Sequence, residues 1–401
     1  MQSDQSVSQR RFINPLVERM EAVGSRELEL TIEELRQKGR SVIPVYGYPV
    51  VCPPAQICEV AREAACSREF PPSSGLPKLR EALAHVLMKR TGVSPDPRRE
   101  ILITSGAMHA LHVVMTALLQ PADEVLLISP CYFFGGLVTL TGARVVVVRT
   151  EERNGYRLNF DDIRRSVSPA TKILVMSSPV NPTGYVYSRD EVEQFIAVAE
   201  EFDLLLISDE SYDRMVYDGL PHVSPFDYPE GRRRTVLVKS FTKSYALPTW
   251  RVGYIVADSA LTSSFRKVLE WTLLHCPYIN QRVALAVLEH PDDWLVDISR
   301  QFEARRNQLL RGIQDLKPFS AFRPQGGPFL FLDVSRVDAD RGEFARLLLE
   351  EFGVPAVPGT CFNDVDHVRI PFGGTEQAVS QLVDALQKAA LSRAQPLGAR
   401  I

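Results

Sequence analysis

No stretch of this 401-residue chain reaches the roughly 18 uncharged apolar residues that a membrane-spanning helix needs. The opening run MQSDQSVSQRRFINPL has no apolar segment of signal-peptide length either, so the expectation is a cytoplasmic protein with no membrane partner. Cysteine is sparse: the six (Cys52, Cys58, Cys66, Cys131, Cys276 and Cys361) form no CxxC pair. No histidine cluster stands beside them to complete a zinc site, so no metal is expected and the thiols are expected to be reduced. Charge of one sign is also missing, since 46 Lys and Arg face 49 Asp and Glu for a net charge of −3. A chain without a basic surplus is a poor ligand for a phosphate backbone, and Arg232–Arg234 is too short a run to supply one. That run reads as a solvated loop before a strand. Internal repeats and low-complexity tracts are absent.

What the chain does have is length and apolar content. A chain of this size divides into two or three domains and permits an enzyme, and 45% apolar with 24% charged residues is the balance of an ordinary soluble globular protein. Short β-branched runs alternate with amphipathic stretches between about residues 100 and 260, the pattern of a parallel sheet covered by helices. The runs are 101–104, 124–130, 144–150, 172–179, 204–210, 235–241 and 251–258. Ser188 and Glu191 have capping-box spacing ahead of Val192, Phe195, Ile196 and Ala199, which predicts a helix start there. Residues 262–317 read as helical. Residues 318–391 mix short strands (FLFLDV, VRI) with helices at 342–352 and 375–390. The division expected is an arm over 1–47, a large α/β domain over 48–290 and a smaller α+β domain over 291–401. A helix near 27–38 stopped by Gly39 belongs to the arm, and SRAQPLGARI reads as a frayed tail.

Ligands of open parallel sheets sit beyond the carboxyl ends of the strands, so the residues there are inspected first. Ser105-Gly106-Ala107-Met108 follow the first run, small residues opening a helix whose free N–H groups suit a phosphate. Tyr132 follows the second, Val180-Asn181-Pro182-Thr183-Gly184 the fourth, Asp209-Glu210-Ser211-Tyr212 the fifth and Ser240-Phe241-Thr242-Lys243 the sixth, while Arg251 opens the last.

This succession of NPTG, D-E-x-Y and S-F-T-K, with an arginine eight residues after the lysine, resembles the fold-type I aminotransferases of class I and II, from about Val42 to about Ala389. The resemblance implies the type I transferase fold, with a mostly parallel central sheet, and pyridoxal 5′-phosphate (PLP) as cofactor. It implies that Lys243 holds PLP as an imine and moves a proton, a role open to a lysine whose charge is disfavoured by burial and nearby cations. Asp209 would pair with the pyridine nitrogen, and opposite charges about 4 Å apart are worth roughly 4 kcal/mol at an effective dielectric of 20. Asn181 and Tyr212 would hydrogen-bond the phenolic oxygen, and Tyr132 would stack on the ring. Ser240, Arg251 and the backbone of Gly106, Ala107 and Met108 would hold the phosphate. In His367-Val368-Arg369-Ile370-Pro371, Arg369 matches the arginine that grips the substrate α-carboxylate, and Gly47 matches a glycine beside it. The partners implied are a small amino acid and a second copy of the chain, in a homodimer with active sites at the interface.

The chain departs from the pattern around the rim. Phe70 stands where a tyrosine reaching the neighbouring subunit's phosphate is common, which puts that contact in doubt. Met108-His109 and Thr249-Trp250 are also atypical, and Tyr46 and Tyr48 flank Gly47 with aromatic bulk. One fold of this kind hosts several reactions. Transamination is the leading expectation. A lyase, cyclase or β/γ-replacement activity resembling the aminocyclopropane-carboxylate synthases is the alternative. A sensor domain of a transcription regulator is the third, although no helix-turn-helix-sized segment precedes residue 42.

Overall fold

The computed structural model describes residues 12–20, 24–132, 134–337 and 341–393, so the expected tail lies largely outside the described residues. Seven strands form the large sheet: β1 Ile101–Thr104, β2 Glu124–Ser129, β3 Arg144–Arg149, β4 Thr171–Ser177, β5 Leu205–Asp209, β6 Thr235–Ser240 and β7 Gly253–Val256. Their order is β1-β7-β6-β5-β4-β2-β3. Every run read from the sequence is a strand; 101–104 matches β1 end to end, and the others differ at their ends by one to a few residues. β1, β5 and β6 are almost wholly buried, as expected of strands covered by helices on both faces.

β7 is the exception to the parallel pattern, because it runs antiparallel to both β1 and β6. Its direction matters for the site. The carboxyl ends of β4, β5 and β6 lie along one edge of the sheet, and reversing β7 brings its amino end, preceded by Arg251, to that same edge. Arg251 is thus not the first residue of the strand but the turn before it, with φ +49°.

The smaller sheet has the order β10-β11-β9-β8, all antiparallel, from β8 Ser320–Ala321, β9 Phe329–Asp333, β10 Val357–Pro358 and β11 His367–Pro371. Helices Arg341–Phe352 and Glu376–Arg393 accompany it, close to the spans read from periodicity. The helix at Arg189–Glu201 begins as its sequence specifies. Ser188 Oγ accepts from Glu191 N–H at 3.3 Å, and Glu191 Oε2 accepts from Ser188 N–H at 2.8 Å.

Two local readings need correction. Arg232–Arg234 are not in a loop but close the helix Pro229–Arg234, where cations suit the negative end of the helix dipole. Arg232 Nε donates to Phe226 O at 2.7 Å and Arg234 pairs with Asp203 at 2.7 Å, so the run is tied down locally. The arm helix runs Gly24–Gln37, longer at its start than expected, and the chain leaves it through Gly39 at φ +74°, a conformation that favours glycine.

Candidate active site

A cavity of about 550 Å³, counting its open mouth, lies beyond the carboxyl ends of β4, β5 and β6. Nine of the residues singled out from sequence line it: Ala107, Met108, Tyr132, Asn181, Asp209, Tyr212, Ser240, Lys243 and Arg251. They arrive from separate strand ends, and the edge geometry is what brings them together.

The floor is the start of the helix Ala107–Leu118. Gly106 precedes it at φ +83°, and no side chain caps the first N–H groups. A Cβ at Gly106 would come within 2.7 Å of Arg251 Nη2, so the glycine lets the guanidinium lie against the backbone. Gly253 does the same from the other side, since its Cβ would meet Gly106 C at 2.6 Å. Arg251 Nη1 donates to Thr242 Oγ1 at 3.1 Å, and Ser240 Oγ accepts from Thr242 N–H at 3.1 Å while keeping its own proton to donate. Uncapped N–H groups, an arginine and a serine hydroxyl around one helix start make an anion cradle.

Lys243 sits in the four-residue helix Phe241–Ser244 that follows β6. Burial, then Arg369 and Arg251, push its ammonium down to about 7, so the amine is largely neutral at mildly alkaline pH. Asp209 closes the far wall at the end of β5. Burial pushes its carboxyl up to about 6, against two hydrogen bonds from Ser211 that favour the anion. A buried carboxylate held by one backbone and one hydroxyl donor, with no salt-bridge partner among the described residues, is poised to accept a cation.

Asn181 connects this wall to the smaller sheet. Its Nδ2 lies 3.5 Å from Tyr212 Oη, and its Oδ1 accepts from Arg369 Nη1 at 3.0 Å. Burial holds the Tyr212 phenol well above its ordinary range, so it is a neutral donor. Arg369, in β11, is buried between the Phe329 and Phe362 rings, 4.3 and 4.7 Å from its guanidinium carbon. Its Nε is buried and has no hydrogen-bond partner among the described residues. A desolvated guanidinium with an unpaired N–H is costly unless a ligand completes it.

Gly47 does not line the cavity. A Cβ there would come within 2.5 Å of Phe329 Cε1, so this glycine makes room for the ring that covers Arg369. Tyr48 does not line the cavity either, but its ring stands 4.9 Å from Lys243 Nζ. Sequence reading noted only that Tyr46 and Tyr48 add aromatic bulk. It also passed over Thr242, Ser177 and Ser211, which line the cavity. Thr242 and Ser211 lie inside the very motifs S-F-T-K and D-E-x-Y, so position within the motif was the available signal. Phe70 is 73% exposed, its ring edge-on to His275 at 4.3 Å.

The family profile described as Aminotransferase class I and II matches residues 50–386. The chain belongs to that family. It is similar to an aspartate aminotransferase of Pyrococcus abyssi, at 31% identity over 85% of this chain and 90% of the other. To an aspartate/prephenate aminotransferase of Thermus thermophilus it is 32% identical, over 88% and 91%. The structure of the Thermus thermophilus aspartate aminotransferase with maleate overlays with a TM-score of 0.89 at 30% identity, covering 94% of this chain and 99% of that one. These likenesses establish the type I transferase fold and a PLP-dependent aminotransferase, and they favour transamination over elimination or cyclisation. The cradle, the largely neutral lysine and the buried Asp209 carboxylate, which has no salt-bridge partner among the described residues, fit that cofactor. Among the described residues no helix is long and apolar enough to cross a membrane.

Proposed function

We propose that the enzyme transfers the amino group of an α-amino acid, with Lys243 as tether and proton carrier and Arg369 as the grip on the substrate α-carboxylate. The observation that supports this most directly is the buried, unpaired Nε of Arg369 in a strand that reaches Asn181 at the cavity wall. The bound cofactor supplies an electron-accepting ring and a carbonyl for the amino group; the protein supplies the rest. Asp209 keeps the ring nitrogen charged. Asn181 and Tyr212 orient the ring oxygen, Tyr132 covers the ring face, and Ser240, Arg251 and the N–H groups at Ala107 and Met108, with Gly106 opening the turn, hold the phosphate. Neutral Lys243 takes the proton from the substrate Cα and returns it. Gly47 serves the substrate site through Phe329.

The relatives are named for aspartate, prephenate and aromatic amino acids, whose common part is the carboxylate next to the reacting carbon. Arg369 would read that common part. Arg369→Lys keeps the charge and loses the planar fork, so apparent affinity for amino acids should fall roughly ten- to a hundredfold, the equivalent of one charge-assisted contact. PLP occupancy should not change. Equal weakening of an amine that lacks the carboxylate, or loss of PLP, would make Arg369 structural.

We also propose residues 48–290 and 291–401 as the large and small domains with 1–47 as an arm, each domain carrying one of the two sheets. A homodimer is supported by exposed apolar groups gathered along one segment: Trp271 at 92%, Leu274 at 51% and, on His275, Phe70. Six free cysteines suit the reducing cytoplasm.

A further inference from the structure

We propose that Ser211 is a positioning residue that couples the two reacting ends of the site, fixing the carboxylate of Asp209 and, through Ser244, the helix that carries Lys243. The proposal rests on the reading that Asp209 partners the cofactor's ring nitrogen.

Three bonds meet at Ser211. Its Oγ donates to Asp209 Oδ1 at 2.6 Å, and its N–H donates to the same oxygen at 3.0 Å. Its carbonyl accepts from Ser244 Oγ at 3.1 Å. Both donors converge on one carboxylate oxygen, so Oδ1 is committed and the carboxylate plane is fixed. The second oxygen is left for the cavity that Asp209 lines. A side chain has only one rotamer that satisfies both donors at once, and that selection is the positioning. Ser244 is the neighbour of Lys243 in a helix only four residues long, which has little stiffness of its own. Its hydroxyl ties that helix to the turn after β5.

The hub has a firm base. The single proton of Ser244 Oγ is shared between the Ser211 carbonyl and the Asp213 carboxylate, both in the turn after β5, and Asp213 pairs with Lys239, whose ammonium reaches Glu210 at 3.2 Å. Arg90 reaches Glu210 from the other side at 3.2 Å. Glu210 and Lys239 are almost wholly buried, and breaking one partner of such a set is costly, so the turn from Asp209 to Asp213 has little freedom to shift. The donors on Asp209 also oppose the effect of burial on its carboxyl, which helps keep it ionised as a pyridinium requires.

The test uses holoenzyme loaded with PLP labelled with nitrogen-15 in the ring. Ser211→Ala removes the hydroxyl and leaves the N–H and carbonyl; Ser211→Thr restores a hydroxyl; Ser244→Ala cuts the ties of the lysine helix to Ser211 and Asp213 and leaves the bonds on Asp209 in place. Expected for Ser211→Ala are a displaced ring-nitrogen resonance and a kcat lowered about tenfold, with KM within about twofold, because one charge-assisted bond on the carboxylate is lost. Ser211→Thr should return both toward wild type. Ser244→Ala should leave the ring nitrogen unmoved and shift the pH midpoint of the cofactor's absorbance, which reports Lys243. A ring-nitrogen resonance unchanged by Ser211→Ala, or variants that lower only thermal stability, would overturn the proposal. Asp209→Ala separates the two readings. If it leaves the resonance unmoved, the pairing of Asp209 with the ring is wrong; if it moves the resonance and Ser211→Ala does not, the pairing stands and only the Ser211 proposal fails.

Discussion

Lys243 is suited to the proposed roles of tether and proton carrier because three influences act on one amine. Burial, the guanidinium of Arg369 and that of Arg251 all disfavour its charge, and together they push it down to about 7 from 10.5. In the protein without cofactor, the rate at which PLP attaches should therefore rise with pH up to a plateau above about 7, since only the neutral amine attacks a carbonyl. Replacing Arg251 should move that midpoint upward, because a cation that disfavours the ammonium is lost. A midpoint near 10 in the wild-type protein would contradict the electrostatic argument. Lys243→Ala should abolish turnover, and borohydride reduction of the wild-type enzyme should leave pyridoxyl on Lys243 and on no other lysine. Asp209→Ala should bind PLP more weakly and lose at least about a hundredfold in rate, as the loss of a buried charge pair implies. A near-normal rate in steady-state assays would place the nitrogen's partner elsewhere.

At the scale of elements, the strand ends were legible because each apolar run stops where its polar residues begin. β5 ends in Asp209 and β6 in Ser240, each within one residue of the end read from the sequence alone. The reversal of β7 was not legible, since a short buried run has the same pattern in either direction. The packing around Arg369 was also hidden. Phe329 is far from Gly47 in sequence, and although Phe362 lies close to Arg369 along the chain, only the fold turns its ring over the guanidinium.

His367 is another such case. It was read as part of a motif, but its ring bridges Glu152 at 2.7 Å and Asp364 at 2.8 Å and stacks on Phe331 at 4.5 Å. Burial opposes the charge, and the two carboxylates prevail, holding the imidazole up at about 9. A group raised in the folded state stabilises fully below its unfolded value of about 6.5, and the contribution is lost as pH rises through about 9. The thermal midpoint of the holoenzyme should decline over that window, and His367→Gln should remove that component. The same decline in His367→Gln would assign it to another group.

On the scale of the whole molecule, the large sheet supplies Lys243, Asp209 and the anion cradle of the cavity, while Arg369 of the small sheet does not line it but reaches its wall through Asn181. The dimer expected from the exposed Trp271 and Phe70 is checked by light scattering, and Trp271→Asp should shift it toward monomer; a fully active wild-type monomer would remove the dimer. The central claim is that the assembled site moves an amino group from an α-amino acid to the cofactor, and a single-turnover experiment reads this directly. Holoenzyme mixed with an excess of one amino acid and no acceptor, then quenched, should yield one equivalent of pyridoxamine phosphate and one of the matching 2-oxo acid per site. Product formation that continues past one equivalent, with the cofactor recovered as PLP, would mean that the site eliminates or replaces groups, contrary to transamination.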